Sequence, residues 1–593
     1  MRTPLRPLAR ILKARETGEN PDMIEAENRA RRHAATQDKA RSRAEGRLLL
    51  LGLMFFCAFV VIGGRMGTLA SSVPEEPRAA AEGNPIIGQR ADIVDRNGRL
   101  LSTNLDTFSL YAHPRQMVDP AHTAAQLAAI FPEMDADRLL ADFTGERRFL
   151  WLRRQMSPEQ MQAVHDIGSP GLLFGPREMR LYPNGSLAAH ILGGTRYGRE
   201  GVSSAEVIGV AGVERQFDPF LRDPANEGAP LQLSIDLSIQ AATERVLAGG
   251  MALMNAKGAT AVLMDIHSGE IIAMASLPDF DPNSRPQVAV TGDQSDSPLF
   301  NRAVQGVYEL GSVFKIFTIA QAMELGLVTA DTIIDTTSPL AWGSFRIRDF
   351  RNYGPQNSVT NVIVKSSNVG TARIAMQIGA ERQRDFLGQL GLLQATPVEL
   401  IEAPTGAPLL PRNWSEISTM TISYGHGLSS SPLHLAAAYA AMVNGGTKVE
   451  PTLLRNTDPQ PGPRVISAAV SQSVVDMLRT TVTEGTASMG DVAGYAVGGK
   501  TGTADKPRAA GGGYYDDKVI STFAAVFPAS DPQYVLITTL DEPVETSGTE
   551  PRRTAGWTAV PVAAEIIRRT APLLGLRPQM DMGDPDSVTL TAN

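Results

Sequence analysis

The chain reads as an α+β protein: a central antiparallel sheet flanked by helices, carried on an N-terminal pedestal domain behind a single transmembrane helix. Three observations predict this. Residues 48–64 form one uncharged, mostly apolar run bounded by Arg47 and Arg65. Apolar strand-like runs stand at both ends of residues 231–571, with largely helical sequence between them. In residues 90–230, helical stretches alternate with short strands and Gly/Pro breaks. With 593 residues the chain is too long for one hydrophobic core, and 43% hydrophobic against 20% charged residues suits a folded protein.

Taken in order, residues 1–47 are a basic tail with twelve Lys/Arg and seven Asp/Glu, while the rest of the chain is net negative. Residues 48–70 are long enough to span a bilayer, and Lys39, Arg41, Arg43 and Arg47 crowd the N-terminal flank. That bias predicts an uncleaved anchor with the tail in the cytoplasm and the bulk exported. A forty-seven-residue leader is long for a cleaved signal peptide, and the run has no polar stripe of the kind a buried core helix shows. Residues 71–89, rich in Pro, Glu, Ala and Gly, read as a linker.

The pedestal, 90–230, opens with a turn at Asn97-Gly98 and carries helical stretches at 121–130 and 158–167. Glu178 and Arg180 in it read as a charged pair with a structural role. In 231–571 a helix is expected near 238–248, a hairpin from 259–266 and 270–276, late strands at 521–527 and 534–540, and a closing helix at 559–568. Residues 572–593 read as a polar tail.

Composition excludes several classes. A net charge of −8 argues against a global nucleic-acid surface. One cysteine, Cys57, rules out an intramolecular disulfide and a thiolate zinc site, and the eight histidines contain no H-E-x-x-H pair.

Three short motifs occur in order inside 231–571. Ser312-Val-Phe-Lys315 precedes a helical segment and is entered through Gly311. Three residues apart on a helix, Ser312 and Lys315 share a face, so a desolvated lysine can serve as base to a serine at a helix N-terminus. Ser366-Ser-Asn368 places a hydroxyl and an amide two apart, able to relay a proton and hold a substrate amide. Lys500-Thr501-Gly502-Thr503 is the third. Each alone is weak: an N-cap serine and a polar turn explain the first two. Gly494 to Thr501 also fits the P-loop pattern, but Ala504 to Pro507 and then Gly511 to Gly513 read as loop where a P-loop requires a helix. His426, in a Gly-rich turn, and His434, at the start of a helix near 435–442, read as turn and capping residues rather than catalysts. Asp516 and Asp517 read as a solvated loop.

Ordered S-x-x-K, S-x-N and K-T-G together resemble the penicillin-recognising serine acyltransferases. Asn301-Arg-Ala303, the Asp265, Gly269-Glu270 and Ala273-Met-Ala-Ser276 segments, Gly212-Val-Glu-Arg-Gln-Phe-Asp218, Arg96-Asn97-Gly98 and Arg180-Leu-Tyr-Pro183 extend the likeness to class B penicillin-binding proteins. The short anchor, overall length and Phe149-Leu-Trp-Leu-Arg-Arg154 resemble their division-specific, FtsI-type members, with the elongation-specific type as near relative. Leu310 and Ala91 stand where the family pattern has proline and glycine.

The resemblance implies the penicillin-binding transpeptidase fold and a peptidoglycan D,D-transpeptidase acting in septal wall synthesis. It implies Ser312 as nucleophile, Lys315 as its base, Lys500 favouring the neutral form of Lys315, Ser366 as proton relay and Asn368 as substrate holder. Thr501, Gly502 and Thr503 would bind substrate. It implies stem peptides ending in D-Ala-D-Ala as donors, a stem amine as acceptor, β-lactams as covalent inhibitors, and no metal or organic cofactor. An FtsW-type glycosyltransferase and other divisome proteins would be partners at the bacterial inner membrane, with the catalytic domain periplasmic.

Other readings of the triad fit less well. A class A β-lactamase would carry a Glu-x-x-Leu-Asn segment between the second and third motifs, and none is present. The 47-residue tail is too short for a sensor's signalling domain, and the pedestal occupies the space of a second catalytic domain. A carboxypeptidase differs only in the acceptor. A scaffold with a vestigial site would not need all three motifs intact.

Overall fold

The structure is a computed structural model and describes residues 12–13, 16–18, 20–71, 90–200, 205–288, 291–508 and 512–579. The expected linker, apart from Ser71, and most of the C-terminal tail lie outside the described residues. The chain divides into two compact units: residues 1–76, 112–150 and 167–172 in one, and 77–111, 151–166 and 173–593 in the other.

In the first unit, one continuous helix runs Pro21–Ser71. Its Glu45–Met66 portion has a mean hydropathy of 2.3 and is long and apolar enough to cross a membrane. At a rise of about 1.5 Å per residue this stretch measures about 33 Å, which matches a hydrocarbon core of about 30 Å. The same unit holds helices Pro120–Ile130 and Ala136–Thr144, whose first turns are capped by Asp119 and Asp135.

In the second unit, strands β1 (Gly258–Asp265), β2 (Ile271–Leu277), β3 (Gly498–Pro507), β4 (Tyr514–Phe527) and β5 (Tyr534–Asp541) form a sheet in the order β3-β4-β5-β1-β2. Every neighbouring pair is antiparallel. Because successive side chains point to opposite faces, each strand feeds two cores. From β1, Val262 and Met264 enter one core, and Ala259, Ala261 and Leu263 enter the other. The first core also takes α2 (Lys315–Glu324), α4 (Pro432–Val443) and α5 (Ala468–Glu484); the second takes α1 (Leu237–Leu253) and α6 (Ala559–Thr570). Covered faces on both sides explain why the strands read as unbroken apolar runs rather than alternating ones.

The sequence reading differs from the structure in four places. Ala504 to Pro507, read as loop, belongs to β3, because the ladder to β4 continues through Thr503↔Ser521 and Asp505↔Val519. Asp516 and Asp517 sit on the exposed start of β4 rather than in a loop. The block between the early and late strands, read as largely helical, also contains four three-residue strands between Ile333 and Ser358. Arg180 does not pair with Glu178. It pairs with Glu214 at 2.7 Å, and Glu214 also takes Arg90 at 2.7 Å, all three side chains being sealed from solvent. Desolvation alone would raise the Glu214 carboxyl pKa, but the two guanidiniums outweigh it and hold the pKa below its ordinary value. Arg90 also pairs with Asp218 at 2.7 Å, so one buried network ties residues far apart in sequence.

Candidate functional site

The first motif is positioned from two sides. Gly311, at φ +65°, makes the sharp entry into a tight 3₁₀ turn, Gly311–Phe314, that passes directly into α2. Its amide donates to the Gly425 carbonyl at 3.2 Å. A Cβ built on Gly311 would sit 2.8 Å from the Thr503 carbonyl oxygen, so only glycine lets this turn lie against β3. On the α4 side, the Tyr439 hydroxyl donates to the Val313 carbonyl at 2.7 Å, and Phe317 stacks edge-on between Phe314 and Tyr439. Ser312 is thus held half-buried at the mouth of the turn while Lys315 is fully buried.

The second motif turns on Ser366, which adopts φ +63° and is not a glycine. The left-handed conformation costs a serine about 1–2 kcal/mol, which the surroundings must offset. It aims both the carbonyl and the hydroxyl of Ser366 at Lys315, whose Nζ donates to them at 2.6 and 3.0 Å. Ser367 then caps α3 (Asn368–Ile378) and donates to Asp349 at 2.8 Å, and the Val369 amide donates to the same carboxylate at 3.0 Å. Asn368 Nδ2 donates to the Arg348 carbonyl at 2.9 Å, which leaves the amide's second donor hydrogen for a substrate.

The third motif lies on β3, at the edge of the sheet. Lys500 is fully buried and donates to Ser366 Oγ at 3.0 Å and to the Thr501 carbonyl at 3.0 Å. The Ser366 hydroxyl is therefore the common acceptor of two buried lysines. Thr501 and Thr486 share a hydroxyl hydrogen bond of 2.7 Å, and Thr503 Oγ1 accepts from the Ala555 amide at 3.0 Å. Gly502 does not line the cleft. A side chain there would collide with the Leu310 carbonyl, so its role is to let β3 press against the serine turn. Leu310 itself is fully buried in the core.

Ser312, Ser366, Asn368, Thr501 and Thr503 line one open cleft of about 790 Å³. Burial lowers both lysine pKa values. The Lys315 ammonium is pushed well below its ordinary range, first by desolvation and then by repulsion from Lys500, with Asp349 opposing. Lys500 is pushed down to about 7 by desolvation. The sequence reading invoked both desolvation and repulsion, and of the two burial is the larger cause.

Sequence reasoning missed Asp349, the clamp on the second motif, and Thr486, the partner of Thr501. It also missed Glu309, which accepts from the Gly427 amide at 2.8 Å and from the Tyr514 hydroxyl at 3.0 Å. Only Glu309, three residues before Ser312, had a positional cue. His426 follows helix Glu416–Ile422 in a turn, as expected, and also reaches the cleft, with its ring 5.4 Å from Tyr424. His434 is a buried capping residue: its Nδ1 lies 2.7 Å from the hydroxyl of the N-cap Ser431. The P-loop reading is excluded, since Lys500 and Thr501 lie within β3 and the next described element is strand β4 rather than a helix.

Comparison with known proteins agrees with this geometry. Residues 259–568 match the penicillin binding protein transpeptidase domain, and residues 85–226 match the penicillin-binding protein dimerisation domain. The chain is 35% identical over 93% of its length, and 93% of the relative's, to a probable peptidoglycan D,D-transpeptidase FtsI of Caulobacter vibrioides. It is 28% identical to the peptidoglycan D,D-transpeptidase FtsI of Escherichia coli, covering 77% of this chain and 79% of that one. The crystal structure of penicillin binding protein 3 from Mycobacterium tuberculosis, complexed with aztreonam, superposes with a TM-score of 0.62 at 26% identity. That match covers 83% of this chain and 98% of the other. A serine turn, a left-handed serine shared by two buried lysines, an edge strand bearing K-T-G-T and this breadth of similarity have one reading: the chain belongs to the class B penicillin-binding proteins, and within them to the FtsI type.

Proposed function

We propose that this protein is a serine-type peptidoglycan D,D-transpeptidase that cross-links stem peptides during septal wall synthesis. The observation that carries the mechanism is the Ser366 hydroxyl, hydrogen-bonded at 3.0 Å to both Lys315 and Lys500 in the cleft that Ser312 lines. Ser312 Oγ attacks the carbonyl of the penultimate D-alanine and gives its proton to neutral Lys315. The C–N bond then breaks, and the proton passes through Ser366 to the departing D-alanine amine. An ester on Ser312 remains. The amine of a second stem attacks it, forms the new amide and returns the hydroxyl to Ser312.

The edge position of β3 supports the substrate pose. One side of the strand pairs with β4, and the other can pair with an extended peptide. In this pose Thr501 and Thr486 receive the donor's terminal carboxylate, Asn368 holds its backbone, and the amides of Ser312 and Thr503 form the oxyanion site. Residues 90–230 serve as pedestal and 231–571 as the transpeptidase domain. The anchor holds the catalytic domain in the periplasm beside an FtsW-type glycosyltransferase and other divisome proteins.

The test is labelling with a fluorescent penicillin, with the adduct located by mass spectrometry. A stable adduct on Ser312, absent in Ser312→Ala, is expected; rapid turnover of the drug, or no adduct on folded protein, would refute the reading. Depletion in cells is expected to give filaments, and rounded cells would instead indicate the elongation role.

A further inference from the structure

Two consecutive arginines lie beyond the last strand of the sheet, and their surroundings differ. The Arg552 guanidinium lies over the Trp557 ring, 4.0 Å from its centroid, and pairs with Glu545 at 3.7 Å. Arg553 lines the cleft. Its Nε is sealed from solvent and has no hydrogen-bond partner among the described residues. The backbone around it is fixed: the Arg553 carbonyl accepts from Ser521 Oγ at 2.7 Å, and two residues on, the Ala555 amide donates to Thr503 Oγ1 at 3.0 Å. Since Thr503 and Ser521 are register partners, Arg553 is held at the level of Thr503 along β3.

That level matters for what the side chain can meet. Thr501 and Thr503 are two residues apart on one strand, a separation of about 7 Å. In the pose proposed above, on which this inference rests, the donor's terminal carboxylate lies at Thr501 and the reacting carbonyl at Thr503. Arg553 is therefore displaced from the terminal carboxylate toward the acyl half of the donor, the part that stays on Ser312. Among the described residues no ion pair joins Arg553 to a carboxylate, so a cation that lines the cleft is left for an incoming acceptor, and a planar guanidinium fits a carboxylate best. Asp505 also lines the cleft, yet among the described residues no ion pair joins it to Arg553.

We propose that Arg553 is a specificity-determining residue that binds a carboxylate carried by the acyl half of the donor, upstream of the D-alanyl residue that esterifies Ser312. A stem peptide with a free carboxylate on that half is accordingly the preferred donor.

The experiment compares acylation rates of the full-length protein by two penicillins that share a nucleus and differ only in the acyl side chain. One side chain is neutral and aryl, and the other is the same group bearing an added carboxylate. The nucleus carboxylate is common to both and cancels. Arg553→Gln is expected to slow the carboxylated penicillin about tenfold relative to the neutral one, the loss of one charge-assisted pair. Arg553→Lys should keep part of the preference and Arg553→Glu should reverse it. Equal slowing of both drugs, or no change in their ratio, would overturn the proposal. Failure of the wild type to be acylated by either would instead remove the transpeptidase reading itself.

Discussion

A lysine held at about pKa 7 is charged only about half the time in neutral buffer, so Lys500 is a weaker repulsive neighbour to Lys315 than its formal charge suggests. In the proposed mechanism acylation needs neutral Lys315 and should rise with pH as that group loses its proton. Lys500→Met removes the repulsion and is expected to move this acid limb to higher pH, while Lys500→Arg, always charged, moves it lower. Second-order acylation rates measured as a function of pH decide this, and an unmoved limb would show that burial alone sets Lys315. The same shift bears on stability. Folding lowers the Lys500 pKa, so its contribution is fully present above the ordinary lysine value and is lost as pH falls through about 7. The melting temperature of Lys500→Met should therefore gain on the wild type as pH falls from about 10.5 to about 7, and gain no further below that. Ser366 offers a second residue-scale separation. Ser366→Gly and Ser366→Ala both remove the shared hydroxyl and should slow acylation by about 10²–10⁴-fold. Only Gly relieves the φ of +63°, so the Gly variant should be the more stable of the two by about 1 kcal/mol, read by thermal denaturation.

Among the elements, β3 concentrates the dependence of chemistry on packing. Gly502→Ala would drive a methyl into the Leu310 carbonyl and push the strand off the serine turn. A loss of about 1–3 kcal/mol is expected, together with slowed acylation from misplacing Thr503 against Ser312. Gly249→Ala, in α1 with no neighbouring atom within 4 Å, is the control and should be neutral or stabilising by up to about 1 kcal/mol. If Gly502→Ala acylates normally, the close approach is not what aligns the site. The same strand shows what could be read from sequence. β1, β2 and β5 were legible because both their faces are buried, and their apolar runs are continuous. β3, with three glycines, and the exposed polar start of β4 have no such pattern and owe their extension to pairing with each other. The spacing of Ser312, Lys315, Ser366, Asn368 and Lys500 was legible, since it is a property of the chain. The Asp349 clamp was not, because it lies among three-residue strands too short to show a period.

Across the whole molecule, charge and hydropathy bear on the proposed orientation, with the tail in the cytoplasm and the cleft in the periplasm. Residues 1–47 carry a net +5 and the remainder a net −13, with the span at Glu45–Met66 between them. The four cations that flank the span favour the inward tail of that orientation. In that orientation the cleft lies outside the membrane, where a polymeric wall substrate can reach β3. Protease added to spheroplasts is expected to remove a C-terminal tag and spare an N-terminal one, and the protein should leave the membrane with detergent but not with high salt. Replacing Lys39, Arg41, Arg43 and Arg47 by Gln should raise the fraction of inverted molecules and lower penicillin labelling of intact spheroplasts by a membrane-impermeant probe in proportion. Digestion of the N-terminal tag in the wild type would place the cleft in the cytoplasm, and the transpeptidase mechanism would then have no substrate to act on.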